Sequence, residues 1–245
     1  MHRVCISSTG LYNPPEVITN AELVAAFNQF ADLDNAAHAA EIAAGTRTAI
    51  PYSSVEFIEK ASGIQRRYVV EKSGVLDPTR MRPRLRIRPD SEVSLMAEIS
   101  IAASRDALAR AGKQASDVDA VICAAANMQR AYPALAVEIQ AALGIQGFAF
   151  DMNVACSSAT FGIEMAVNAV KCGTARAVLV VNPEITSAFG LEGPRLPLHF
   201  WRCLHGHPGR AARHRARRCL RGAGHAVVHL VFQQHPQQRG LHVAQ

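Results

Sequence analysis

The stretch FDMNVACSSATFG, Phe150–Gly162, joins an apolar, strand-like run to a run of small residues that begins a helix. Its cysteine, Cys156, lies where the strand gives way to the helix. The free N–H groups and the positive dipole end of that helix would favour a thiolate and could donate to an oxyanion. Cys156 is therefore a candidate acyl-accepting nucleophile. The alternative is a buried thiol beside small residues that only permit close helix packing.

The sequence around this stretch alternates runs of strand length with helical patterns. The clearest helix runs from Ser91, its expected cap, to Ala111, with an apolar stripe at Met96, Ile99, Ala103 and Ala107. After it we expect a strand at 119–126, a helix at 133–143 with Pro133 in its first turn, a strand at 147–152, a helix at 157–172 and a strand at 175–182.

Towards the amino terminus the same patterns continue. We expect a strand at 2–7, a helix capped by Thr19 or Asn20, an alanine-rich helical surface insertion at 30–48, a helix that stops at Gly63 and a strand at 67–70. Strands that alternate with helices predict an α/β fold. The sheet should be mixed and mostly parallel, with helices on both faces.

Composition narrows the class of protein. Hydrophobic residues make up 49% of the 245 residues, as in a globular protein with a packed core. No apolar run is long enough to span a bilayer and no signal peptide is evident, which predicts a cytoplasmic protein without membrane attachment. The six cysteines show no CxxC or CxxH clustering, so neither a zinc site nor a disulfide framework is expected.

The net charge of +6 is unevenly distributed along the chain. Residues 1–193 contain 17 basic and 20 acidic residues, a net charge of −3, whereas nine arginines and no acidic residue follow Glu192. A basic loop at 80–88 carries Arg80, Arg82, Arg84, Arg86 and Arg88. This loop could meet CoA phosphates or an acidic carrier protein, but the favoured interpretation is a solvated loop.

Six segments resemble, in order, β-ketoacyl-[acyl-carrier-protein] synthase III, a thiolase-fold condensing enzyme. They are GLYNPPEVITNAEL, ASGIQRRYVV, DAVICAAA, YPALAVEIQAALGI, FDMNVACSSATFGIEMAVNAV and ARAVLVVNPEIT. The resemblance covers about residues 2–187, nearly the whole first half of that duplicated fold, and is most specific around Cys156.

The resemblance implies a chemistry. Cys156 would take an acyl group from acyl-CoA as a thioester, with its own backbone N–H as oxyanion donor, and the enolate from malonyl-acyl carrier protein would attack that thioester. It also implies acyl carrier protein as a partner, no metal or organic cofactor, no nucleic acid, and a homodimer with residues 147–152 at its interface. The insertion near Phe30–Tyr52 is longer than in acetyl-CoA-using members, which suggests a longer primer or a different acyl donor.

The family also uses a histidine and an asparagine from a second half to stabilise the enolate, and this chain has too little length beyond Pro194 for that half. We therefore expect a thiolase-like half at 1–188 and a basic tail at 189–245 that is not a native domain. The tail has eight of the ten histidines. It could be a nucleic-acid arm or a metal segment, but its possible ligands fit no standard zinc spacing: Cys203, His205, His207, Cys219 and His225.

A shifted reading frame explains the tail better. Back-translated and read one base later, residues 195–210 become DCHFIFGDVCTATLVE, which resembles the family's next segment. Trp201 has a single codon, and the shift turns it into the glycine of FGD. Residues 232–238, FQQHPQQ, likewise shift to SSNIRNN. We expect a frameshift near Ala188–Pro194 and a chain that does not condense.

Two other functions remain open. A non-catalytic half could bind CoA or a carrier protein and use the tail as an interaction arm, or the chain could derive from a polyketide- or quinolone-type condensing enzyme. Labelling of Cys156 that is much faster than labelling of Cys123 or Cys172 would favour an enzyme over a binding module.

Overall fold

The computed structural model describes residues 4–185 and 225–233, and within them lie seven strands and seven α-helices. The strands are β1 (Val4–Tyr12), β2 (Glu16–Thr19), β3 (Arg66–Val69), β4 (Ala120–Ala124), β5 (Phe148–Met152), β6 (Ala177–Glu184) and β7 (His225–Gln233). The helices are α1 (Asn20–Ala37), α2 (Ala39–Ala43), α3 (Val55–Ser62), α4 (Ser73–Leu76), α5 (Leu95–Ala111), α6 (Leu135–Leu143) and α7 (Ser158–Lys171).

One compact unit is built on a five-stranded sheet and comprises, among the described residues, 4–12, 88–184 and 225–233. The strand order is β1-β7-β6-β4-β5. Strand β4 pairs in parallel with β5 and β6, whereas β7 pairs antiparallel with β6 and β1. Four strands therefore run in one direction and β7 runs against them, which confirms the predicted α/β fold with a mixed, mostly parallel sheet.

Both faces of this sheet are covered. The even-numbered residues of β4 and β6 pack against Ala166 and Val170 of α7. The odd-numbered residues point the opposite way because strand side chains alternate, and they are equally buried. Helices α5 and α6 pack on the sheet and on each other. The predicted stripe of α5 lies in this core, with all four of its residues buried.

Strand β1 and helix α5 approach each other closely. A Cβ atom on Gly10 would lie 2.1 Å from the carbonyl oxygen of Ala103, so only glycine fits there. Ser8 donates to the Ala107 carbonyl at 2.7 Å, and the Leu11 N–H donates to Asp106 Oδ2 at 3.1 Å. The strand runs to Tyr12, beyond the predicted end at residue 7.

Residues 13–87 form a second unit, with β2 and β3 paired antiparallel. Its core contains Phe27 of α1 and Ile58 of α3. Thr19 caps α1 in a capping box with Glu22, and Gly63 ends α3 in a left-handed conformation, as predicted. Helices α1 and α2 occupy much of the predicted helical insertion.

Two predicted helix starts are wrong. Helix α5 begins at Leu95, not at Ser91, because the Ser94 hydroxyl accepts the Ala97 N–H. Helix α6 begins at Leu135, so Pro133 precedes its first turn. The N–H groups of Leu135 and Ala136 donate to the Asp151 carboxylate at 2.8 Å each. A distant aspartate thus caps α6, and local sequence gives no sign of it.

Strand β7 lies within the segment that the composition assigns to the basic tail, and its backbone joins β1 to β6. The division of the chain near residue 188 stays a prediction. In the described part of the chain, no helix is both long and apolar enough to cross a bilayer.

Candidate active site

The candidate nucleophile lies in the turn between β5 and α7. Strand β5 ends at Met152, a 3-10 turn covers Ala155–Ser157, and α7 begins at Ser158. Cys156 is exposed in this turn. Ala155 before it has φ = 48°, the left-handed region, which costs a residue with a Cβ atom roughly 1–2 kcal/mol. Such a conformation persists only where neighbouring groups hold it.

Side chains on both sides of Cys156 hold the turn. The buried Ser158 hydroxyl accepts the Val154 N–H at 2.9 Å and donates to the Ala155 carbonyl at 2.8 Å. Asn153 Oδ1 accepts the Ala155 N–H at 2.9 Å. The Ser157 N–H donates to the Val154 carbonyl at 3.0 Å. The backbone around the exposed thiol is therefore fixed by hydrogen bonds.

The small residues after Cys156 also serve packing, as the alternative interpretation expected. A Cβ atom on Gly162 would lie 2.8 Å from Ala124 Cβ and 3.0 Å from Val180 Cγ1. Helix α7 therefore lies directly on β4 and β6. Close packing and an exposed thiol are compatible here because the packed residues begin one turn after Cys156.

The carboxyl ends of three parallel strands meet beside this turn. Ala126 and Asn127 follow β4, Asn153 follows β5, and Glu184 ends β6. Glu184 Oε1 accepts the Ala126 N–H at 2.6 Å, and Asn153 Nδ2 donates to the Ala126 carbonyl at 2.8 Å. Open α/β sheets bind ligands at this edge.

Glu184 is the perturbed acid of the site. Burial raises the pKa of its carboxyl, against the lowering effect of hydrogen bonds from the Ala126 N–H and the Asn127 amide. Asn182, two residues earlier on β6, donates to the Ala124 carbonyl at 2.7 Å. Both side chains continue the even-numbered series of β6 that faces α7. Neither Glu184 nor Asn182 was predicted from the sequence, and their only sequence signal is a polar residue at the end of a buried strand.

Two of the other described thiols, Cys123 and Cys5, are less exposed than Cys156. Cys123 is buried in β4, and burial first, then the charges of Asp151 and Glu184, raises the pKa of its thiol well above the usual value. Burial also raises the pKa of Cys5. Cys172 is exposed, one residue after α7. Cys203 and Cys219, with the proposed metal ligands of the tail, lie outside the residues whose side chains the structure describes.

The arginine loop is engaged in contacts of its own. Arg84 pairs with Asp77 at 2.6 Å, and its backbone N–H donates to Glu71 at 2.6 Å. Arg80 donates to the carbonyl of Arg82 at 3.2 Å. Arg88, in the larger unit, pairs with Glu98 at 2.6 Å. These contacts favour a structural role for the loop over a binding site.

No group of three or more histidine, cysteine or acidic side chains in the described residues is arranged to hold a metal ion. The acid Glu138 instead pairs with Arg130 at 2.7 Å, both largely buried, and accepts from Ser94. These charges are structural, because each is compensated within the fold. At the carboxyl ends of these strands the described residues thus offer one exposed thiol, Cys156, and one half-buried carboxyl, Glu184.

Comparison with known proteins shows which family the segment around this turn resembles. The model for 3-oxoacyl-[acyl-carrier-protein (ACP)] synthase III matches residues 150–190, the segment that contains the turn. A β-ketodecanoyl-[acyl-carrier-protein] synthase of Pseudomonas aeruginosa is 58% identical over 159 residues, 65% of this chain and 45% of that protein. Over these segments the chain is similar to the 3-oxoacyl-[acyl-carrier-protein] synthase III family.

A second relative, named as a synthase III, is similar over a comparable part of the chain. A β-ketoacyl-[acyl-carrier-protein] synthase III of Shewanella oneidensis is 33% identical over 151 residues, 61% of this chain and 44% of that protein. The chain thus spans about half the length of the curated relatives it matches.

Solved structures agree in fold. The priming β-ketosynthase of the R1128 polyketide pathway has a TM-score of 0.60 at 21% identity, covering 95% of this chain and 51% of that one. The 3-oxoacyl-(acyl carrier protein) synthase III of P. aeruginosa PAO1 has a TM-score of 0.58 at 18% identity, covering 96% and 53%. At these identities the likeness concerns the fold alone, and it confirms the expected thiolase-like class.

Proposed function

We propose that the chain accepts an acyl group from acyl-CoA on Cys156 as a thioester. The observation that carries the proposal is an exposed cysteine, on a turn fixed by hydrogen bonds, inside the segment that matches the synthase III family. The amino end of α7 follows within two residues, so the positive end of the helix dipole lies next to Cys156. The thiolate, not the thiol, is the nucleophile of cysteine.

The acyl transfer balances as an exchange of thioesters. Cys156 Sγ attacks the thioester carbonyl of acyl-CoA, negative charge develops on that oxygen, and the Cys156 N–H is the proposed oxyanion donor. The tetrahedral intermediate collapses with expulsion of the CoA thiolate, which takes up a proton from solvent. The products are acyl-Cys156 and free CoA, without oxidation or a cofactor.

The acyl donor is proposed to be of medium chain length. The relative that is 58% identical is named for a β-ketodecanoyl product, which has ten carbons. Condensation with malonyl-carrier protein adds two carbons and releases CO₂, so the corresponding primer is an octanoyl group. Octanoyl-CoA is therefore the donor to test first.

The 245-residue chain is proposed not to complete the condensation. In the described residues 4–185 the only histidine is His38, an α1 C-cap whose Nδ1 lies 2.8 Å from the Asp34 carbonyl oxygen. Residues 39–185, which include the turn and the strand ends beside it, therefore offer no histidine of the kind that the family resemblance implies. Electrostatic stabilisation of the enolate usually contributes most to the rate of such a step, so its loss should abolish product formation.

A shifted reading frame after about residue 188 is the proposed origin of this deficiency. The acid-free composition after Glu192 and the forced glycine at the Trp201 codon support it. Sequencing the coding DNA across codons 186–202 tests it, and an intact frame without insertion or deletion relative to the P. aeruginosa gene would refute it.

We also propose that the protein binds acyl carrier protein, that it is located in the cytoplasm and that it forms a homodimer. Strand β5 is an edge of the sheet and is only half-buried along its length. Edge strands offer unpaired N–H and C=O groups to a second chain. Sedimentation of the chain at several concentrations tests for a dimer.

The functional experiment separates acylation from condensation. The chain is incubated with octanoyl-CoA, and free CoA is measured; malonyl-carrier protein is then added, and β-ketodecanoyl product is measured. We expect CoA release of about one equivalent, as one nucleophile per chain requires, and no product. Product at the rate of an intact synthase refutes the deficiency. Octanoyl-CoA binding without CoA release would favour the non-catalytic binding module.

A further inference from the structure

The Asn153 side chain bridges two strand ends. Its Oδ1 accepts the N–H of Ala155, two residues ahead, at 2.9 Å, and its Nδ2 donates to the carbonyl of Ala126 at 2.8 Å. Ala155 immediately precedes Cys156, whereas Ala126 follows β4. A single amide therefore ties the nucleophile turn to the neighbouring strand.

The residue Ala126 is also held through its N–H group. Its N–H donates to Glu184 Oε1 at 2.6 Å, at the end of β6. One residue earlier, the Ala125 N–H donates to the Met152 carbonyl at 3.2 Å and continues the pairing of β4 with β5. Glu184, the backbone of Ala126, the Asn153 amide and the Ala155 N–H are thus connected by three hydrogen bonds.

These hydrogen bonds hold Ala155, the strained residue of the turn. Ala155 is held at φ = 48°. The orientation of the peptide group between Ala155 and Cys156 sets the direction in which the Cys156 side chain points. Without the bond to Asn153, the turn can relax towards ordinary backbone angles. A displacement of a reacting group by about 1 Å can cost a hundredfold in rate.

We propose that Asn153 is a positioning residue for Cys156: it holds the turn through the Ala155 N–H, while Glu184 holds Ala126, the other partner of the Asn153 amide, through the Ala126 N–H. The inference rests on the proposed function for its catalytic meaning. Its effect on thiol geometry is independent of that function. The amide side chain supplies both the acceptor for Ala155 and the donor for Ala126, and alanine supplies neither, so substitutions should form a graded series.

The substitutions remove the hydrogen bonds of Asn153 and Glu184 separately. Asn153→Ala removes both bonds. Asn153→Ser keeps a hydroxyl that can accept the Ala155 N–H more weakly, as serine does in turns of this kind. Glu184→Gln keeps an oxygen acceptor for the Ala126 N–H, whereas Glu184→Ala removes it. Asn168→Ala, on the exposed surface of α7, is the matched control for loss of an asparagine.

The experiment measures two rates on the full 245-residue chain: alkylation of Cys156 by iodoacetamide and single-turnover acylation by octanoyl-CoA. Alkylation of Cys172 is the internal control. We expect Asn153→Ala to lower the maximal acylation rate roughly tenfold to a hundredfold without changing the half-saturating octanoyl-CoA concentration. Asn153→Ser and Glu184→Gln should recover part or most of the rate, and Asn168→Ala should match the parent.

The outcomes separate the two proposals. If the parent chain is alkylated at Cys156 but never acylated, the proposed function fails, and a graded alkylation series still supports the positioning role. If Asn153→Ala and Asn153→Ser both keep the parent's rates for Cys156, the positioning role is overturned. Slower reaction of Cys172 in the same variants would also overturn it, because the effect would then not be specific to the turn.

Discussion

Cys123 and Cys156 lie near the carboxyl ends of neighbouring parallel strands, yet their surroundings differ completely. Cys123 lies within β4, is 0% exposed, and has a thiol pKa raised well above its usual value by burial. Cys156 lies four residues beyond β5, exposed on a turn held by Asn153 and Ser158. The turn, and not the strand, therefore makes a thiol of this sheet available for chemistry.

The largest expected effect is the difference in reactivity between the two thiols. Cys123 reacts only when the sheet opens locally, which costs several kcal/mol in a core strand, so Cys156 should be alkylated at least roughly a thousandfold faster. Mass mapping of alkylated peptides over time measures both rates. Comparable alkylation rates for Cys123 and Cys156 would show that β4 opens readily. They would contradict the difference in accessibility between the two thiols.

Gly162→Ala should lower the free energy of unfolding. The added Cβ would meet Ala124 and Val180 at 3.0 Å or less, and overpacking of this kind typically costs about 1–3 kcal/mol of unfolding free energy. Denaturation in urea measures the loss. Asn168→Ala on the exposed side of α7 is the control, and an unchanged midpoint for Gly162→Ala would contradict the close contact of α7 with β4 and β6.

Ser158→Ala should weaken the turn with a loss of similar size. It removes the acceptor of the Val154 N–H and the donor to the Ala155 carbonyl, and an unmade bond to a part-buried group costs about 1–3 kcal/mol. Cys156 alkylation should slow while Cys172 alkylation stays constant. An equal rate of Cys156 alkylation in the parent and in Ser158→Ala would mean that the Ser158 hydroxyl does not hold the turn.

The arginine loop should show the smallest effect. Arg84 pairs with Asp77 near the surface, where solvent screens such pairs and they contribute little to stability. Arg84→Ala is therefore expected to lower the unfolding free energy slightly and to leave the half-saturating octanoyl-CoA concentration unchanged. A large increase in that concentration would assign the loop to CoA binding after all.

The sequence predicted the elements more reliably than their ends. Continuous apolar runs located β4 and β6, and the stripe at Met96, Ile99, Ala103 and Ala107 located α5. The start of α6 was misplaced because Asp151, fifteen or more residues away, caps it. Caps supplied by distant residues leave no local pattern.

The site could be predicted only in part for the same reason. Cys156 was identifiable from its place between strand and helix. The left-handed angle of Ala155 was not, since alanine carries no preference for it. The bridge from Asn153 to Glu184 joins residues that only the parallel pairing of β4 with β5 and β6 brings together. Strand β7 was not expected, because its residues lie in the segment interpreted as a tail.

Whether Cys156 accepts the acyl group can be read from the mass of its own peptide. The chain is treated with octanoyl-CoA and digested, and the peptides containing Cys156, Cys172 and Cys123 are weighed, with Cys156→Ala and Cys172→Ala in parallel. We expect one octanoyl group on the Cys156 peptide, released by hydroxylamine as a thioester is, retained in Cys172→Ala and absent in Cys156→Ala. An octanoyl group on another residue would contradict the assignment of Cys156 as the nucleophile. The same amount of bound octanoyl group in a folded Cys156→Ala chain would also contradict it.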